Sequence, residues 1–153
     1  METKKVRNYV FFLFAGACIT YFSGKQKKNR VGTDSKYWQY YDVLNRWMKQ
    51  KERGINIEDN LRQRNIKEIA IYGMGDIGKH LQEELTGTDI VIKYAVDRSF
   101  YAMSNLDIYE PESDLPEVDA IIVTPVFDYE NIRKSLAAKM NCQILSISDV
   151  INK

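Results

Sequence analysis

The feature that most limits what this chain can become is a short apolar strand, Lys67-Glu68-Ile69-Ala70-Ile71-Tyr72, running straight into Gly73-Met74-Gly75-Asp76-Ile77-Gly78. Each glycine in this G-x-G-x-x-G run has a steric task. Gly73 permits a tight turn out of the strand, Gly75 keeps a Cβ away from an approaching diphosphate, and Gly78 lets the following helix pack closely on the sheet. The first amides of that helix, around Met74, Asp76 and Ile77, have no intrahelical acceptor and suit an anion. Asp76 is ambivalent, because its carboxylate opposes a bound anion but favours the helix dipole, so it is expected to point outward or cap the helix.

A six-residue motif is weak by itself, and the residues after it supply the context. Ile77, Leu81 and Leu85 share one helical face, and Thr86-Gly87-Thr88 closes the helix. The next strand, residues 90–96, ends in Asp97, where a carboxylate meets the ribose hydroxyls of a nucleotide. Arg98 could pair with a 2′-phosphate, but Asp97 would repel that group, so the two favour NAD over NADP; the plainer reading of Arg98 is a solvated loop residue.

The alternation then continues. Residues 106–109 read as a short edge strand, 110–116 as a turn-rich connection with two prolines, and 118–124 as a buried parallel strand. The end of that strand, Thr124-Pro125-Val126-Phe127, should lie beside the glycine turn, with Thr124 the candidate to support it. Asp128 is expected to cap a helix whose Ile132, Leu136 and Met140 face the sheet, residues 143–147 form the last strand, and Ser148-Asp149-Val150-Ile151 begins a closing turn. The expectation is an α/β domain over residues 67–153 with a parallel sheet in the order 3-2-1-4-5, little more than half of a full dinucleotide-binding fold.

Two segments precede it. Residues 31–66 read as a helical connector: Gly32-Thr33-Asp34-Ser35 breaks and caps, and residues 36–50 form an amphipathic helix with Tyr37, Tyr40, Tyr41, Leu44, Trp47 and Met48 as its apolar stripe. Such a stripe reads as core or inter-subunit packing. A second helix over 57–64 takes Asn56 as N-cap and Asn65 as its left-handed closing residue.

Residues 1–30 read as a membrane-anchor segment. Asn8 to Gly24 carries no charge, and as a helix it would span about 25 Å against about 30 Å of hydrocarbon. Lys4, Lys5 and Arg7 precede it and Lys25, Lys27, Lys28 and Arg30 follow, a bias that with the nucleotide reading places the body in the cytoplasm. A signal peptide cleaved near Ala15-Gly16-Ala17, a lipoprotein signal ending at Cys18, and a monotopic or partner-covered helix are the competing readings, with a wholly cytoplasmic protein as the alternative localisation. The seven basic residues against Glu2 give this segment +6, so with a net charge of +1 the rest of the chain carries −5, which argues against nucleic acid as a partner.

No independent catalytic constellation is visible. The α/β part contains no Tyr-x-x-x-Lys pair, His80 falls off the apolar helix face, and neither Cys18 nor Cys142 has a neighbouring base or a metal-ligand spacing.

The stretches IAIYGMGDIGKHLQEEL, YAVDRS and LPEVDAIIVTP together resemble the Rossmann-type NAD(P)/sugar-nucleotide-binding domains attached to bacterial surface-polysaccharide biosynthesis proteins, including the N-terminal domain of sugar-nucleotide acetyltransferases. The resemblance covers roughly residues 67–150, with Gly73, Gly75, Gly78 and Asp97 at the matched positions. It implies NAD or a sugar nucleotide as ligand. The repeat-built catalytic domain of those enzymes has no counterpart in these residues, so the expected role is a membrane-tethered nucleotide-binding module accessory to polysaccharide assembly. Its partners would be a separate transferase or epimerase, or a second copy through the Tyr37–Trp47 helix. A non-binding interaction scaffold and a small oxidoreductase completed by dimerisation are the alternatives.

Overall fold

A computed structural model describes residues 35–99 and 105–151. The chain divides into two compact units, residues 1–38 and 39–153. Of the first only 35–38 are described, as the start of a helix, and the apolar segment 8–24 lies outside the described residues. Among the described residues no helix is long and apolar enough to cross a membrane.

The second unit is built on a five-stranded sheet: β1 (Glu68–Tyr72), β2 (Val91–Val96), β3 (Ile108–Tyr109), β4 (Ala120–Val123) and β5 (Gln143–Ser146). Every pairing is parallel and the order is β3-β2-β1-β4-β5, as the sequence pattern required. β1 and β4 lie at the centre because they are apolar on both faces. Ile69, Ala70 and Ile71 and all four residues of β4 are buried.

The period of two then sorts side chains between two cores. Ile69, Ile71, Ala120 and Ile122 face one layer of helices: α1 (residues 35–52), α2 (Ile57–Gln63), α3 (Asp76–Leu85) and α5 (Ile147–Val150). Ala70, Val96, Ile121 and Val123 face α4 (Tyr129–Ala137), through Ile132 and Leu136. β1 and β4 thus send their crossovers to opposite faces, and their carboxyl ends part at the centre of the sheet.

Several local expectations shift. The last strand stops at Ser146, and Ile147 opens α5 instead, because the Ser146 hydroxyl accepts from Ser148 N and the Asp149 carboxylate accepts from Ser146 N in a capping box. Asn56 precedes α2 but its side chain makes no cap bond. The amide of Ile57 donates to Glu84 of α3 at 3.1 Å instead. Glu84 also accepts from the Trp47 indole at 2.6 Å and pairs with Lys51, so one carboxylate ties α1, α2 and α3 together. Asn65 closes α2 with φ 59°, as anticipated.

The aromatic stripe of α1 divides. Its buried face is Tyr40, Val43, Trp47 and Gln50, with Tyr40 only half-buried, while Tyr41, Leu44 and Met48 stay exposed. Both sets recur at intervals of three and four residues, so spacing alone did not choose between them.

Candidate functional site at the carboxyl edge of the sheet

The three glycines occupy the β1–α3 junction, and each has a distinct environment. Gly73 adopts φ +92°, a conformation L side chains rarely take, and a Cβ there would lie 2.7 Å from Thr124 Oγ1 and 2.9 Å from Pro125 Cδ. A Cβ on Gly78 would fall 2.2 Å from the Gly73 carbonyl oxygen, so α3 approaches the turn as closely as a helix backbone can. Gly75 is the reverse case: a Cβ there would meet nothing within 4 Å. It is exposed, and the chain above it is open.

Hydrogen bonds hold this turn from both sides. Gly73 N donates to Val96 O at 2.8 Å, extending the β1–β2 ladder by one residue. The Thr124 hydroxyl donates to Gly73 O at 2.7 Å, and Thr124 N to Tyr72 O at 3.0 Å. Thr124 is buried, and its hydroxyl is spent on shaping the turn. Asp97 accepts from Met74 N through Oδ2 at 2.6 Å and from Ser99 N through Oδ1 at 2.9 Å. The carboxylate thereby joins the exit of β2 to the turn after β1, and its oxygens keep lone pairs for further donors.

The candidate residues separate by what they present. The side chains of Met74 and Ile77 are buried in the core, so only their backbone can meet a ligand, and the Met74 amide is taken by Asp97. Asp76 and Arg98 are exposed. Among the described residues, the amides of Gly75, Asp76 and Ile77 donate to no acceptor, as the first amides of a helix must unless something outside supplies one.

Beside Gly73 lies a cavity of about 210 Å³, bounded by Val96, Asp97 and Arg98 from β2's exit, by Pro125, Phe127 and Asp128 from β4's exit, and by Tyr72 and Ile132 below. A neighbouring hollow of about 380 Å³ shares Tyr72, Arg98 and Asp128 and continues along α4 past Asn131 and Ser135 to Lys139. Both of these open hollows therefore lie on the α4 side of the sheet, the first of them beside the first glycine. A larger hollow of about 490 Å³ sits at the other edge, by Arg64, Asp119 and Cys142, away from the strand ends where open α/β sheets bind ligands.

Tyr72 and Asp128 were not among the sequence candidates, and Phe127 was expected beside the glycine turn but given no role there. Tyr72 had a signal: two residues from Ala70, it shares that residue's face and ends the strand at the cavity. Burial pushes its hydroxyl's pKa up, with Arg98 opposing. Asp128 was assigned to capping α4, but its side chain makes no cap bond and instead accepts from Asn131 Nδ2 at 2.6 Å. Phe127, in the 3₁₀ turn Val126–Asp128, meets Tyr40 of α1 edge to face at 6.0 Å, so the connector helix reaches the wall of the cavity.

For chemistry the arrangement offers recognition groups: open amides, carboxylates, one guanidinium and an apolar wall. His80 is exposed on α3, as anticipated. Cys142 is a free, half-buried thiol whose pKa burial raises. Among the described residues no group of three His, Cys, Asp or Glu is placed to hold a metal ion.

Comparison of the chain with protein-family models, with curated proteins and with solved structures gave no match.

Proposed function

We propose that this chain is a nucleotide-binding module of Rossmann type that holds NAD or a sugar nucleotide, tethered to a membrane by residues 8–24 and accessory to surface-polysaccharide assembly. The observation that carries the binding reading is the contrast among the glycines. Gly73 and Gly78 are enforced by contacts within the protein, whereas Gly75 touches nothing, so packing gives no reason for its missing side chain. A diphosphate seated there would receive the amides of Gly75, Asp76 and Ile77, and Asp97 would meet the adjoining ribose. The tether rests on the uncharged run and its basic flanks.

Isothermal calorimetry on the full chain in mild detergent, with NAD, NADP and a UDP-sugar as titrants, tests the reading. Binding that Gly75→Val abolishes while the circular dichroism spectrum stays unchanged is the expected result. Heat that survives Gly75→Val would move the ligand elsewhere, and no heat with any titrant would leave the second reading, an interaction scaffold. One observation favours that alternative: Tyr41 and Met48 are 57% and 60% exposed on α1, an apolar face on a well-formed helix.

A further inference from the structure

Resting on the nucleotide reading, we propose that the cavity beside Gly73 takes the base of the nucleotide, and that Asp128 selects a base carrying an exocyclic amino group, such as adenine, over uracil.

Dimensions come first. β2 and β4 are the two neighbours of β1, and adjacent strands lie about 4.8 Å apart, so their exits face each other across Gly73 at about 10 Å, the width of a nucleoside. A volume of about 210 Å³ is below the roughly 300 Å³ at which pockets begin to enclose a whole drug-sized ligand, and suits one ring system. The two exits also differ in chemistry. On the β2 side Asp97 is fixed by two backbone amides in the position that meets ribose. On the β4 side Pro125 and Phe127 form an apolar wall for a planar ring, and the next residue is Asp128.

Asp128 decides the base. Its side chain makes no helix cap, and the hydrogen bond it accepts, from Asn131, engages Oδ1. An ionised carboxylate only accepts, so the base edge lying against it must donate. Adenine presents an amino group with two N–H donors. Uracil presents two carbonyl oxygens flanking one N–H, and a carbonyl set against a half-buried carboxylate loses its water without gaining a partner. The site thereby favours an adenine-bearing dinucleotide over a UDP-sugar, the two ligands that the glycine turn alone does not distinguish.

Calorimetric titration of the full chain in mild detergent with ADP, UDP and inorganic pyrophosphate tests this, because ADP and UDP share one diphosphate. ADP should bind about tenfold or more tighter than UDP, the effect of one well-placed polar contact. Asp128→Ala should lower ADP affinity and raise UDP affinity until the two are equal, and Asp128→Asn, which keeps one accepting oxygen, should retain part of the preference with the fold intact. Equal affinity for ADP and UDP, both abolished by Gly75→Val, would overturn the base assignment and leave the phosphate site standing. So would a preference for UDP, or an ADP preference that Asp128→Ala does not reduce. No binding of any of the three would overturn the nucleotide reading itself, and this inference with it.

Discussion

The two ends of β1 are held by the same device to different effect. At its start, Asp119 accepts from the amides of Lys67 and Glu68, both at 2.8 Å and both on Oδ2, fastening β1 to the head of β4. At its finish, Asp97 accepts one amide on each oxygen, from Met74 and Ser99, fastening the glycine turn to the tail of β2. Asp119 stands in solvent beside the hollow at the amino-terminal edge, where the strands it joins are regular. Asp97 is half-buried, walls a cavity, and stands next to a turn that contains positive φ and an open glycine. An aspartate that organises backbone amides is thus a clip between regular strands at one end of β1, and at the other it shapes a turn whose backbone has been left without side chains.

Four substitutions can break or sharpen this contrast. The largest effect is expected from Gly78→Ala, which sets a Cβ 2.2 Å from a carbonyl oxygen that no side-chain rotation can relieve. A loss of about 3 kcal/mol should appear in urea unfolding, well beyond the ~1 kcal/mol that alanine returns in helix propensity. An unchanged midpoint would mean that α3 does not press on the turn. Asp97→Ala comes next. It leaves the Met74 amide without its acceptor, at a cost of about 2 kcal/mol, and should weaken a ribose-bearing ligand more than pyrophosphate. Equal losses for the two titrants would remove Asp97 from the ribose.

Thr124→Val keeps the buried volume but deletes the hydroxyl bonded to Gly73 O, and should cost about 1 kcal/mol. A variant as stable as the parent would show that the turn holds its shape unaided. The smallest effect belongs to Asp119→Ala, since the group is exposed and screened. Hydrogen bonds from Glu68 and then Lys67 lower its pKa from the ordinary 3.8. The folded state therefore binds this proton less readily than the unfolded chain does. The stability it contributes is complete above pH 3.8 and disappears as pH falls below that through the depressed folded value. Thermal melts of parent and variant should differ by a constant amount at neutral pH and converge in acid, with ligand affinity unaltered at neutral pH. Curves that stay parallel into acid would show that the carboxylate does not clasp β1.

Much of this architecture was legible in the residues. The continuous apolar runs of β1 and β4 marked central parallel strands, and right-handed crossovers left the order 3-2-1-4-5 as the natural arrangement. The boundary of β5 was misplaced because Ile144 to Ile147 looks like one apolar run, although Ser146 and Asp149 already spelled the capping pattern that ends it. The face of α1 was harder. Residues 37, 41, 44 and 48 are as well spaced as 40, 43, 47 and 50, and what separates them is the surface that α3 and α5 present to the helix.

Local sterics, written residue by residue, determined where this chain turns, which strands are buried on both faces, and that a side-chain-free backbone precedes α3. These follow from the sequence because glycine's freedom and the two periodicities act over a few neighbouring positions. Only the tertiary structure decided which amides remain available, that Glu84 caps a helix twenty-seven residues away, and that Phe127 and Asp128 stand across Gly73 from Asp97. Those outcomes depend on groups far apart in the chain, and no local preference encodes which of several equally spaced partners will meet once the sheet has closed.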